Sequence, residues 1–252
     1  MNDLELDKNY KKGGRGQKVK LIQEWLCLHG SHVAIDNDFG PATDRAVREF
    51  QKKNGLKPDG VVGKSTFAKL IRPMADALKP VSADGKSLGK MVVAYAEQHL
   101  KQSPLEIGGQ NRGPWVRLYM NGNEGPDWPW CAGFACFILK QACRSLKVPL
   151  PIETSVSCDV LAGQAKQKGL FLSEAKAKDR ELIRPGALFL VRRTETDWVH
   201  TGIVLKTDAD VFYTIEGNTN DEGSREGYEV CKRFRGYKAK DFIVFCGPCA
   251  PQ

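Results

Sequence analysis

A chain of 252 residues that is 27% charged and 41% hydrophobic has the composition of a folded protein with one large or two modest domains, which excludes a disordered chain. The formal net charge of +8 is densest in residues 1–80; it suits attraction to a polyanion such as nucleic acid, anionic lipid or an acidic wall polymer, or solubility alone. The longest apolar run, around Phe134 to Leu139, is far too short to span a bilayer, and Met1 to Lys12 alternates acids and bases, so neither membrane insertion nor a standard export signal is expected.

Residues 1–12 read as a tail. Gly13-Gly14-Arg15-Gly16 then opens a compact segment in which Val19, Ile22 and Leu26 share a helix face that Gly30 ends. After the turn Asp36-Asn37-Asp38-Phe39-Gly40, Pro41 starts a second helix with Ala46, Val47 and Phe50 inward, closed by Gly55. Pro58-Asp59-Gly60 is another turn, and Gly63 or Ser65 begins a third helix carrying Phe67, Leu70 and Ile71, with Pro73 as its stop. Residues 13–72 thus predict a small three-helix domain. Cys27, His29 and His32 lack a fourth metal ligand and read as a helix end, so no metal or cofactor is expected.

The spacings Val19-x-x-Ile22-Gln23-x-x-Leu26, Asp38-Phe39-Gly40-x-x-Thr43-x-x-Ala46-Val47-x-x-Phe50-Gln51 and Leu56-x-x-Asp59-Gly60-Val61-Val62-Gly63-x-x-Thr66-x-x-x-Leu70 resemble the three-helix peptidoglycan-binding domain. The resemblance covers about residues 17–72 and implies peptidoglycan as a partner, held in a shallow groove.

Residues 73–87 have linker composition, with Pro73, Pro80, Ser82, Asp84 and Gly85. Beyond them Val92, Tyr95, Ala96 and Leu100 make a helix face, followed by the polar loop Glu106 to Pro114 and a short helix with Val116, Leu118 and Tyr119. Trp128-Pro129-Trp130-Cys131 leads into a helix whose Phe134, Ile138, Ala142 and Leu146 share one face, and residues 157–168 form another. Strands are expected at 187–192, 200–205, 211–216 and 242–245. Helices first and strands afterwards predict an α+β domain over 88–252 with an antiparallel sheet.

Eight cysteines are too sparse for a disulfide scaffold, and Cys246-Gly247-Pro248-Cys249 reads as a disulfide or two inert thiols. Cys131 stands apart. Placed at a helix N-terminus, its sulfur faces unpaired N–H groups and the positive end of the dipole, which favour a thiolate; buried, it is only a small apolar residue. His200 opens a β-branched strand, and Glu216 and Asn218, two apart, share a face of the next. Nucleophile, base and orienter then come from three elements, although each residue alone also has a structural reading.

The same residues resemble the CHAP family of cysteine, histidine-dependent amidohydrolases and peptidases, a papain-like fold: Glu106…Asn111-Arg112-Gly113, Pro129-Trp130-Cys131-Ala132-Gly133-Phe134, Pro185-Gly186, His200-Thr201-Gly202-Ile203-Val204 and Glu216-Gly217-Asn218. Val199 and Ala187 replace a glycine and an aspartate common in that family. The resemblance implies Cys131 as nucleophile, His200 as base and Glu216 with Asn218 as the orienting pair; Asn111, Arg112 and Trp130 are the expected substrate-side residues. Taken together, the expectation is a peptidoglycan amidase or endopeptidase, made without an export signal and acting at the cell wall as a phage-type endolysin or as a secreted effector with an immunity partner. The alternative is a non-catalytic wall-binding protein. No nucleic-acid motif accompanies the basic charge.

Overall fold

The computed structural model describes residues 3–220 and 227–245. Four helices come first: α1 (Gln17–Leu28), α2 (Pro41–Lys53), α3 (Lys64–Leu70) and α4 (Arg72–Ala77). Val19, Ile22, Leu26, Phe39, Val47, Phe50, Phe67 and Leu70 fill their core. Two buried glutamines brace the turns between them. Gln23 donates to Asp36 Oδ1 (2.7 Å) and the Asp38 carbonyl (2.9 Å) while accepting from the Asp36 and Asn37 amides. Gln51 does the same one turn later, donating to Asp59 Oδ1 and the Val61 carbonyl (both 3.0 Å) and accepting from the Gly60 amide. A buried amide can remain in this core because its polar atoms are all engaged.

Two expectations need correction here. The residues read as a tail are packed: Tyr10 is buried, exchanges backbone hydrogen bonds with Val62 (3.1 and 2.7 Å) and donates its hydroxyl to Asp7. One aromatic ring supplies the apolar anchor that a run of charges hides. Pro73 does not lead straight into a linker. It sits in the first turn of α4, where its missing N–H would have had no helical partner anyway. Cys27 and His29, part of the His/Cys cluster, are spent on backbone carbonyls of Val33 (3.3 Å) and Leu70 (2.8 Å).

The remaining elements are α5 (Leu88–Leu100), α6 (Pro114–Tyr119), α7 (Cys131–Leu146) and α8 (Cys158–Gln167), then β1 (Phe171–Leu172), β2 (Leu188–Thr194), β3 (Asp197–Thr207), β4 (Val211–Thr219), β5 (Glu229–Gly236) and β6 (Lys240–Ile243). The strands form one antiparallel sheet in the order β1-β6-β2-β3-β4-β5, so the fold is α+β. α7 lies across β3 and β4, with Phe134, Ile138 and Ala142 buried beneath it, and α5 packs on α7. Gly186 lets the chain press onto α5: a Cβ there would sit 2.4 Å from the Gly89 Cα. β1 and β5 were not expected. β1 has only two residues, and β5 is an edge strand whose outer face is charged or, at Phe234, 71% exposed. Cys246 and Cys249 lie outside the described residues.

The helical module is ion-paired to the rest. Arg117 of α6 reaches Glu24 of α1 with both terminal nitrogens (2.6 and 3.0 Å), Glu124 at 2.7 Å and Asp3 at 2.8 Å. Lys20 meets Glu124 at 2.6 Å, and Trp25 sets its edge on Trp115. Glu24 is fully buried, and removing one partner of such a buried ion pair typically costs about 3–5 kcal/mol.

His99 is a second buried polar centre, ringed by Trp115, Tyr119, Phe134 and Phe137. Its Nε2 lies 2.8 Å from Gln141 Oε1 and its Nδ1 2.9 Å from the Tyr119 hydroxyl, a pattern that a neutral ring satisfies by donating once and accepting once. Burial lowers its pKa from 6.5 to about 4. Between those values the unfolded chain binds a proton that the folded chain refuses, so stability falls as pH falls, by about 3 kcal/mol in all. Urea midpoints at pH 7 and pH 4.5 should therefore converge on substituting His99→Gln, whereas the native chain loses stability in acid.

Candidate active site

Cys131 is the first residue of α7, with Trp130 as N-cap. Three contacts fix that helix end. The Trp130 carbonyl accepts from the Phe134 amide (2.9 Å), its indole stacks on Tyr119 with centroids 5.5 Å apart, and its Nε1 donates to Glu106 Oε1 (2.8 Å). Gly217 brings the β4 backbone against this point, since a Cβ there would lie 2.7 Å from the indole and 2.8 Å from Phe134 Cβ. The sulfur is thereby held at the positive end of a 16-residue helix.

His200 projects from β3 and Glu216 from β4. Their Nε2 and Oε2 are 2.8 Å apart, and both side chains are buried. The register pairs Ile203 with Ile215 and Val204 with Thr214, which continues to set Gly202 beside Glu216. Glu216 reaches the imidazole by passing over Gly202: a Cβ at 202 would be 2.7 Å from Glu216 Cγ and 2.8 Å from the Phe189 ring. Gly202→Ala should therefore displace the carboxylate. A shift of about 1 Å at such a contact costs up to roughly 100-fold; kcat/KM of the variant, read beside its Tm, checks this.

With Nε2 occupied by Glu216, Nδ1 is the nitrogen left for the hydrogen bond between His200 and Cys131. The electrostatics favour an ion pair. A hydrogen bond from Cys158 is the largest influence holding the Cys131 pKa well below that of a free thiol; it is joined by the charge of His200 and a backbone hydrogen bond at Thr201, against the cost of burial. Burial opposes the imidazolium, but the Cys131 thiolate and the Glu216 carboxylate raise His200 to about 9. Burial likewise opposes the Glu216 charge, yet hydrogen bonds from Arg235 and His200 bring its pKa down to about 2. Arg235 Nε donates to Glu216 Oε1 at 2.8 Å, its Nη2 donates to Oε2, and Thr214 Oγ1 donates to Oε1 at 2.6 Å.

The remaining expected site residues divide. Asn218 is buried with φ of 54°, and its side-chain oxygen has no partner among the described residues; Glu216 is the member of the orienting pair hydrogen-bonded to the ring. Asn111, Trp130 and Arg112 do not form a substrate wall together. Trp130 is fully buried. Asn111 is 4% exposed, its amide nitrogen donates to the Pro126 carbonyl and its backbone accepts from Gly125. Both are spent on the loop that presents α7, in which Glu106 bridges the Trp130 indole and the Asn111 amide. Arg112 is half-buried, packed beside Gly109 and Gly125.

Sequence reasoning passed over Arg235, hidden in the charged edge strand, and Cys158, the first residue of α8. A signal for the second was present. Ser157 caps α8, accepting from the Val160 amide, so Ser157-Cys158 places a second thiol at a helix N-terminus.

Residues 15–70 match the peptidoglycan binding domain family. The chain is similar to the zinc D-Ala-D-Ala carboxypeptidase of Streptomyces albus G, with 38% identity over 74 residues, covering 28% of this chain and 29% of that protein. It is also similar to the N-acetylmuramoyl-L-alanine amidase CwlL of Bacillus licheniformis, with 35% identity over 79 residues, covering 30% of this chain and 22% of that one. Among solved structures, the SleB N-terminal domain matches with 32% identity and a TM-score of 0.26, over 27% of this chain and 93% of that chain. The chain thus spans less than a third of the two curated enzymes. The matched residues 15–70 lie within the four-helix module.

Proposed function

We propose that the chain is a papain-like cysteine hydrolase of the CHAP type that cuts an amide bond in peptidoglycan, with its N-terminal module holding the wall. The observation that carries the reading is the Cys131–His200–Glu216 relay at the N-terminus of α7, joined to a peptidoglycan-binding domain in one chain. Tethering raises the local concentration of wall polymer without adding contacts at the reacting bond.

The Cys131 thiolate attacks the amide carbonyl, and the Cys131 backbone N–H at the open helix end is placed to receive the developing oxyanion; a donor of this kind is typically worth about 3 kcal/mol. The His200 Nδ1 proton passes to the leaving amine, which departs and leaves a thioester on Cys131. Neutral His200 then takes a proton from water, the hydroxide attacks the thioester carbonyl, and Cys131 leaves as the thiolate. Glu216 keeps the ring oriented throughout by accepting from Nε2, and Arg235 with Thr214 keeps Glu216 ionised.

Digestion of purified sacculi, followed by mass spectrometry of the new termini, tests the reading. A new amine and a new carboxyl group at one stem-peptide or muramoyl amide, absent with Cys131→Ala, are the expected products. Wall binding without new termini at any enzyme concentration leaves a wall-anchoring protein instead.

A further inference from the structure

We propose that Cys158 is the resolving thiol of Cys131, so that hydroperoxide closes the site as a Cys131–Cys158 disulfide and a dithiol reopens it. The inference rests on the reading of Cys131 as the nucleophile. The two residues open α7 and α8, and their thiols are hydrogen-bonded to each other. Each is nearly but not wholly buried, at 6% and 7% exposure.

The approach is built into the backbone. Cys136, further along α7, donates its thiol to the Ser155 carbonyl (3.3 Å) and accepts from the Ser155 amide (3.5 Å), fastening the loop that precedes α8. Asp159 Oδ1 accepts from the Trp198 amide at 2.7 Å, fixing the first turn of α8 to β3 two residues before His200. A disulfide needs its sulfurs about 2.05 Å apart, and each of these thiols bears on the ionisation of the other as a neighbouring sulfur does. The division of labour also suits resolution. Cys131 is held as the thiolate by Cys158 and His200, while the hydrogen bond to Cys131, together with burial, keeps Cys158 protonated. Low-pKa thiols with a resolving cysteine alongside are those that oxidise reversibly.

The steps balance. The Cys131 thiolate attacks one oxygen of hydrogen peroxide, the O–O bond breaks, and the departing hydroxide takes the His200 proton to leave as water. Cys131 is then a sulfenic acid. The Cys158 sulfur attacks it, the S–O bond breaks, and the hydroxyl leaves with the Cys158 proton as a second water. Two thiols and one peroxide give one disulfide and two waters.

The full chain is treated with a few equivalents of hydrogen peroxide, quenched, and analysed by intact mass and peptide mapping without reduction. The expected result is a loss of about 2 Da with a Cys131–Cys158 linked peptide, and return to the starting mass with dithiothreitol. Cys158→Ser and Cys158→Ala, checked for folding by Tm, should instead gain about 32 Da on Cys131 as the sulfinic acid, which dithiothreitol does not reverse. Cys136→Ser should still form the link. The proposal is overturned if the native chain gains oxygen on Cys131 as the Cys158 variants do, or links Cys131 to another cysteine. Because the link is read by mass, it is judged apart from activity. A chain that links under peroxide but releases no new termini when reduced sinks the proposed function and keeps the disulfide; a chain that is active when reduced and never links does the reverse.

Discussion

Replacing Cys131 by serine should abolish amide hydrolysis as completely as replacing it by alanine, with kcat falling by about 10⁴-fold or more, while binding to sacculi is unchanged. Serine is nearly the size of cysteine, so the α7 end and its Trp130 anchor survive. What is lost is the acidity of the side chain. The site is arranged to ionise a thiol: Cys158 donates to the sulfur, His200 faces it as a cation and the helix end adds its dipole. A hydroxyl keeps its proton under the same influences, and His200, without the thiolate opposite, loses a principal cause of its raised pKa. Release of new amine termini by each variant, beside pull-down on sacculi, separates the two functions. A serine variant that kept a tenth of the activity would mean that Cys131 only packs.

The legible part of the fold was whatever rests on local geometry. Pro41 marks the start of α2, where the helix has no partner for its missing N–H, and Pro129 stands just ahead of Trp130, the N-cap of the helix that opens with Cys131. The alternation through His200 and Glu216 put both on neighbouring strands, and Glu216 meets His200 Nε2. What stayed hidden depends on contacts between distant segments. Trp130 looks like a cleft aromatic because it precedes Cys131, but its indole is drawn inward by Glu106, 24 residues earlier. Tyr10 sits in a charged stretch and finds its strand partner at Val62. Arg235 belongs to an edge strand, where solvent on one side removes the apolar pattern that reveals a strand, yet it completes the carboxylate of Glu216. Cys158 carried a local signal, a thiol behind the cap Ser157, but its relation to Cys131 emerges only in the folded chain.

Glu216→Gln should lower kcat by about 10²–10⁴-fold and narrow the pH profile from both sides. The glutamine oxygen can still accept from Nε2, so the ring stays oriented. The anion is gone, however, and Arg235 then faces the site without its partner. Both changes disfavour the His200 cation, so its pKa drops from about 9 and the alkaline limb moves to lower pH; removing one adjacent charge moves a pKa by about 1–3 units. A weaker cation stabilises the thiolate less, so the Cys131 pKa rises and the acid limb moves to higher pH. Arg235→Gln acts oppositely on the alkaline limb, because it takes a cation away from the far side of Glu216. The groups bearing on the imidazole are Cys131 on α7, Glu216 on β4, Arg235 on β5 and, through Cys131, Cys158 on α8. If Glu216 served only to hold β3 against β4, kcat would fall with the loss of folded protein and neither limb would move. Profiles of kcat/KM from pH 5 to 10 for the native chain and both variants, corrected for the folded fraction, decide between the two.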